Sequence, residues 1–184
     1  MLRFTEYGYL PPGTHEMTME ELKNSILVKG DESTYLWNEP WRHWLVENLE
    51  TLIRPLWLLG FNHVFLDGSF CTDKEQPQDI DAFFELEMNV SSRSEALEQV
   101  SILAHELNSM MNYPVPVWNW WQRRPDGAGN LKCEMWHHFR CEIFPNCYGV
   151  YALEIEDGNV VKFDHLFRYD RNGIEKGVVK LIKG

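Results

Sequence analysis

The stretch Leu66–Leu86, LDGSFCTDKEQPQDIDAFFEL, limits the fold of this chain more than any other. An apolar run, FNHVFLDG, ends on Asp67 and passes into a Gly68-Ser69 turn, and a second strand-like run, IDAFFELEM, follows Asp79. Asp79 and Asp81 flank Ile80. On a strand alternate side chains share a face, so both carboxylates project together while Ile80 enters the core. Two like charges held side by side repel, which calls for positive charge between them. Oxygen donors roughly 6–7 Å apart along a strand suit one or two Mg²⁺ or Mn²⁺ ions shared with substrate phosphates. Gly68 permits close backbone approach, and Ser69 adds a hydroxyl and an amide that together can cradle a phosphate. The competing reading is plainer: a solvated strand edge whose serine only closes the turn.

Composition narrows the classes. A length of 184 residues suits one domain, taken as residues 1–184, with a substantial core. A hydrophobic share of 44% with eight Trp and ten Phe argues for a folded globule. The net charge of −11 argues against an extended DNA-binding surface, though divalent ions can bridge an acidic site to a nucleotide. No apolar run reaches the roughly 20 residues of a membrane span, and the first residues lack a signal peptide's apolar stretch. Four Cys without framework spacing fit reduced thiols. The expectation is a cytoplasmic protein with no membrane partner.

No internal repeat or linker divides the chain. Thr18 and Glu21 have capping-box spacing at the start of a short helix. Trp41, Leu45, Leu49, Leu52, Leu56 and Leu59 recur at three- and four-residue steps, an amphipathic helix opened by Pro40, bent at Pro55 and ended by Gly60. Ser92 and Glu95 open another helix, lined by Ala96, Val100, Leu103, Leu107 and Met110. VPVWNWW reads as the entry to a strand, and LKCEMWHHFRCEIFP as one strand on a blurred two-residue period. Asp157-Gly158 and Asn172-Gly173 mark turns ahead of the terminal VVKLI. The predicted class is α/β (α+β), a mixed sheet with flanking helices.

The order helix, strand, Gly68-Ser69, nine-residue spacer, Asp79-Ile80-Asp81 resembles the signature of the DNA polymerase β-like nucleotidyltransferase superfamily. More widely, GYLPPGTHE, LDGSF…DIDAFF and DRNGIEKGVVKLI are similar to small prokaryotic and phage-associated nucleotidyltransferase-like proteins. The resemblance implies a minimal nucleotidyltransferase fold, a bound nucleoside triphosphate such as ATP, and Mg²⁺ or Mn²⁺ on Asp79, Asp81 and a third acid from a later strand. In RCEIFP that acid is Glu142, with Glu154 as its competitor. The implied acceptor is a protein or RNA hydroxyl, in a toxin–antitoxin or phage-defence setting. Asp67 departs from the pattern, standing where an apolar residue is common, and no separate acceptor-binding domain fits.

Other residues remain candidates. Lys74 in the spacer and Lys176 near the end are possible phosphate contacts; a solvated loop lysine is the plain reading of Lys74. Arg123 and Arg124 beside Trp118, Trp120 and Trp121 could stack a base, or the tryptophans simply pack. Cys133, His137, His138, Cys141 and Cys147 are zinc-type ligands without a zinc-type spacing. Against the enzyme stands a second expectation, an inactive nucleotidyltransferase-fold module, antitoxin or adaptor, working by protein–protein contact.

Overall fold

The computed structural model describes residues 2–30, 36–147 and 167–184, with the backbone alone at 153–154 and 160–161. In chain order its elements are β1 (Gly13–Met17), α1 (Met19–Lys23), α2 (Ile26–Lys29), α3 (Glu39–Leu58), β2 (His63–Asp67), a 3-10 turn (Gly68–Cys71), β3 (Ile80–Glu85), α4 (Arg93–Met111), β4 (Arg123–Pro125), β5 (Leu131–Cys133), α5 (Glu134–Phe139), β6 (Cys141–Asn146), β7 (Leu153–Glu154), β8 (Val160–Val161) and β9 (Gly177–Ile182). Five strands form one mixed sheet in the order β1-β9-β2-β3-β6, and helices flank it. The α+β class with a mixed sheet is therefore as expected. Among the described residues no helix is long and apolar enough to cross a membrane.

The sheet has two unlike faces, and alternation along the strands makes them so. Leu66 pairs with Ala82, and Ala82 with Ile143; all three are fully buried and belong to the main core with α3 and α4. One residue along, Asp67 pairs with Asp81, and Asp81 with Glu142. Those three acids therefore stand in a lateral row on the opposite face. Two residues farther lies the parallel row Phe65, Phe83 and Phe144, with the first two rings stacked at 4.7 Å. A one-residue slip in β3 would push both carboxylates into the core, so burial of Ile80 and Ala82 fixes where the acids point.

The local signals mostly act as their chemistry dictates. The Thr18–Glu21 capping box forms with both reciprocal bonds. Asn38 caps α3, Pro40 sits in its first turn, and the helix runs through Pro55 to Leu58 before Gly60 at φ +94°. Ser92 caps α4, but Glu95 turns its carboxylate to the Ser91 amide and hydroxyl, and Met110 stays exposed.

GTHEM forms β1 on the sheet edge. Two expectations fail. Pro114–Trp121 forms no strand; Val117, Trp118 and Trp120 fill core space, and the Trp120 indole donates to the Ile143 carbonyl at 2.6 Å. The other is LKCEMWHHFRCEIFP, which is strand, helix and strand: α5 interrupts it and ends at Arg140, left-handed at φ +53°. Residues such as Met135, Trp136 and Phe139 satisfy a helical three-and-four spacing as well as a blurred alternation, and their burial against the sheet decides between the two. The Asp157-Gly158 turn lies outside the described residues, although β7 and β8 on either side of it pair antiparallel. Asn172-Gly173 does turn the chain, capped by Asp170.

Candidate active site

Each site residue is held by a different device. Asp79 immediately precedes β3 and is almost fully buried, accepting from the Trp136 indole at 2.7 Å. Glu142 is fixed by the Cys133 amide at 3.1 Å, at the start of α5. Asp81 lies across Gly68. That glycine is at φ +74°, and a Cβ on it would collide with Asp81 Oδ2. The Gly68 requirement is thus double: a left-handed backbone and an absent side chain under a carboxylate.

The acids converge. Asp79, Asp81 and Glu142 each offer a carboxylate oxygen, and the three oxygens lie within 4.8 Å of one another. Because Asp81 and Glu142 are cross-strand partners in the parallel pair β3–β6, the convergence follows from register. Burial, and then the Asp79 charge, push the Asp81 carboxyl up to about 7. Among the described residues Asp81 receives no hydrogen bond, which leaves it the acid least satisfied by the protein itself.

A residue that sequence reasoning missed sits between the other two. Lys132, on β5, places its ammonium 2.9 Å from Asp79 Oδ2 and 2.7 Å from Glu142 Oε2. Burial alone would lower its pKa, but the bonds to Asp79 and Glu142 outweigh that and hold the ammonium well above the ordinary lysine range. The available signal was alternation within LKCE, which puts Lys132 on the strand face opposite buried Cys133. The small β4–β5 hairpin carries it, closed by Asp126, whose carboxylate accepts from the Ala128 and Asn130 amides.

Lys176 reaches the same face but is taken by Asp67. The ammonium donates to Asp67 Oδ2, while Asp67 Oδ1 is buried without a partner. Burial raises the Asp67 carboxyl despite that lysine. Asp67, the departure from the family pattern, therefore has a local counter-charge. Ser69 is half-buried in the 3-10 turn; its carbonyl accepts from Thr72, and its hydroxyl makes no hydrogen bond among the described residues. Lys74 joins nothing here: its side chain is exposed, and its contribution is a backbone carbonyl that accepts from Arg42. Arg124 pairs with Glu134 at 3.0 Å, and the Arg123 guanidinium lies 5.5 Å over Phe144. Cys133, Cys141 and Cys147 are buried, while His138 faces Glu134. The Glu154 side chain lies outside the described residues.

The donor set fits a hard divalent cation. All three donors are carboxylates, and their 4.8 Å spread compares with roughly 4.2 Å across one six-coordinate Mg²⁺, a gap that a small side-chain closure removes. The turn offers a direct test of this packing. Replacing Gly68→Ala should destabilise the fold by about 1–3 kcal/mol, from left-handed strain plus the collision with Asp81. Chemical denaturation of the purified variant measures it, and a change below about 0.5 kcal/mol would show that Asp81 does not pack on Gly68.

Comparisons with curated proteins and with solved structures match nothing. The described family of unknown function DUF6932 matches residues 2–182, nearly the whole length, and the chain belongs to that family.

Proposed function

We propose that this protein is a metal-dependent nucleotidyltransferase that moves a nucleotidyl group from a nucleoside triphosphate to a hydroxyl of a protein or RNA acceptor. The observation that carries the reading is the meeting of Asp79, Asp81 and Glu142 beside the Gly68-Ser69 turn. The three carboxylates would hold Mg²⁺ or Mn²⁺, which supplies charge neutralisation at the phosphates and activation of the attacking hydroxyl. Asp81, lacking a donor among the described residues, has the oxygen most available for that task. The Ser69 hydroxyl, without a partner among the described residues, can donate to a phosphate oxygen. Lys176, on the far side of Asp67, adds positive charge next to the turn. The aromatic row Phe65, Phe83 and Phe144 provides an apolar shelf on the same face.

One observation favours a second reading. Lys132 already neutralises Asp79 and Glu142, as a protein would arrange if it kept the fold but no longer used the metal. In that case the chain is a binding module, antitoxin or adaptor, acting through its acidic surface. Thermal melts in the presence of Mg²⁺ or Mn²⁺ with each nucleoside triphosphate separate the two. For the enzyme, melting should rise by about 5 °C or more once ligand exceeds its dissociation constant roughly a hundredfold. An unmoved transition with every metal–nucleotide pair would favour the module.

A further inference from the structure

Lys132 has no place in the transfer chemistry, yet it is the best-bonded cation in the molecule's acidic cleft. Its ammonium bridges one oxygen of Asp79 and one of Glu142, while Asp81 has no partner among the described residues. It comes from a hairpin whose two strands, among the described residues, pair only with each other, and its side chain is 18% exposed. Both oxygens it holds belong to carboxylates that the metal reading requires. An ammonium and a divalent ion on the same two carboxylates compete, because their positive charges repel across a few ångströms.

We propose that Lys132 is a tethered cation that occupies the metal position of this cleft, holding Asp79 and Glu142 together until a divalent ion displaces it. The inference rests on the metal-dependent reading above and adds its regulation: the protein's own lysine sets how much metal the site demands. Three facts support it. The bridging distances of 2.7 and 2.9 Å are those of direct charge-assisted hydrogen bonds, so the pair is fully engaged. Glu142 keeps a second anchor in the Cys133 amide, and Asp79 keeps the Trp136 indole, so both carboxylates stay aimed after the lysine leaves. The four-carbon stem needs only rotamer changes to carry the ammonium toward solvent, without unfolding the hairpin. Lys132 is thus a positioning residue in the metal-free protein and a competitor in the metal-bound one.

Two measurements test this. In the first, Mn²⁺ is titrated calorimetrically into wild type and Lys132→Met, which keeps the stem and removes the charge. The variant should bind Mn²⁺ at least about tenfold more tightly, the scale on which groups beside metal ligands act. In the presence of a chelator it should melt below wild type. A lysine that is merely structural would weaken metal binding when removed, so equal or weaker affinity in a folded variant overturns the proposal. The second measurement uses wild type alone and decides the matter if the variant does not fold. Reductive methylation, read by mass spectrometry at Lys132 with exposed Lys74 as reference, should be slow in chelator and several-fold faster in saturating Mn²⁺. Labelling unchanged by bound Mn²⁺ overturns the tethered-cation role and leaves the metal site standing. If neither protein binds Mn²⁺, the metal reading falls along with it.

Discussion

With Mg²⁺ and an α-labelled nucleoside triphosphate, the double variant Asp79→Asn, Asp81→Asn should transfer nucleotide at least about a thousandfold more slowly than wild type. The label is followed into acid-insoluble protein and RNA of a cell extract. Asn keeps the shape and one oxygen of each side chain but removes two of the three negative charges that would hold the ion. The developing charge at the phosphate then lacks its counter-ion. Stability should move in opposite directions at the two positions. Asp81 has no donor among the described residues, and burial with the Asp79 charge pushes its carboxyl up to about 7, so Asn there relieves an unfavourable charge. Asp79 is bonded to Lys132 and Trp136, so Asn there weakens a satisfied pair. Asp81→Asn alone should therefore be at least as stable as wild type, and Asp79→Asn alone less so. A binding module behaves differently: partner capture in a pull-down survives the double variant unless the partner docks on these acids. Wild-type transfer retained in full by the double variant would end the two-carboxylate mechanism.

The parts of this site legible in the sequence were those in which one short stretch encodes both strand and face. Asp79-Ile80-Asp81 states its own geometry, because an isoleucine between two acids has only one side to bury. Glu142 was legible for the same reason, next to Ile143, even though its strand was drawn too long. The acids' meeting depends on the pairing of β3 with β6, a contact between residues about sixty apart that no local pattern specifies. Lys132 was hidden because one partner, Asp79, lies 53 residues away in the chain, and the other, Glu142, is only 10 residues away but is reached across the unforeseen helix α5. Asp67 looked like added charge beside the phosphate turn, and only the fold shows Lys176, 109 residues away, neutralising it. The helix α5 was missed because amphipathic helix and half-buried strand overlap in a six-residue window.

Arg42→Ala should destabilise the fold by at least about 3 kcal/mol, lowering the melting temperature by roughly 6–12 °C. Arg42 sits on the amphipathic helix α3 one position past Trp41, where the helical pattern gives it no special role, yet it is fully buried. Among the described residues no carboxylate pairs with it. Its guanidinium donates to the carbonyls of Leu27 at 2.6 Å, Phe70 at 2.8 Å and Thr72 at 3.0 Å, and also to that of Lys74. Its flat face lies 3.9 Å from the Trp37 ring. Burial lowers its pKa to about 10, so it stays charged at neutral pH, solvated by main chain instead of water. Removing it strands the buried carbonyls of Leu27 and Phe70, each at about 1–3 kcal/mol where water cannot enter, while those of Thr72 and Lys74 are nearer the surface. Arg42→Lys should fall between, since a point-like ammonium cannot span the carbonyls that a planar fork reaches. Because Phe70, Thr72 and Lys74 follow directly on Gly68-Ser69, the same change should loosen the turn under Asp81. Metal–nucleotide stabilisation should then shrink in Arg42→Lys even where the fold survives. Denaturation and melting of the two variants measure both effects; an Arg42→Ala protein within about 0.5 kcal/mol of wild type would show that the clamp does not hold the turn.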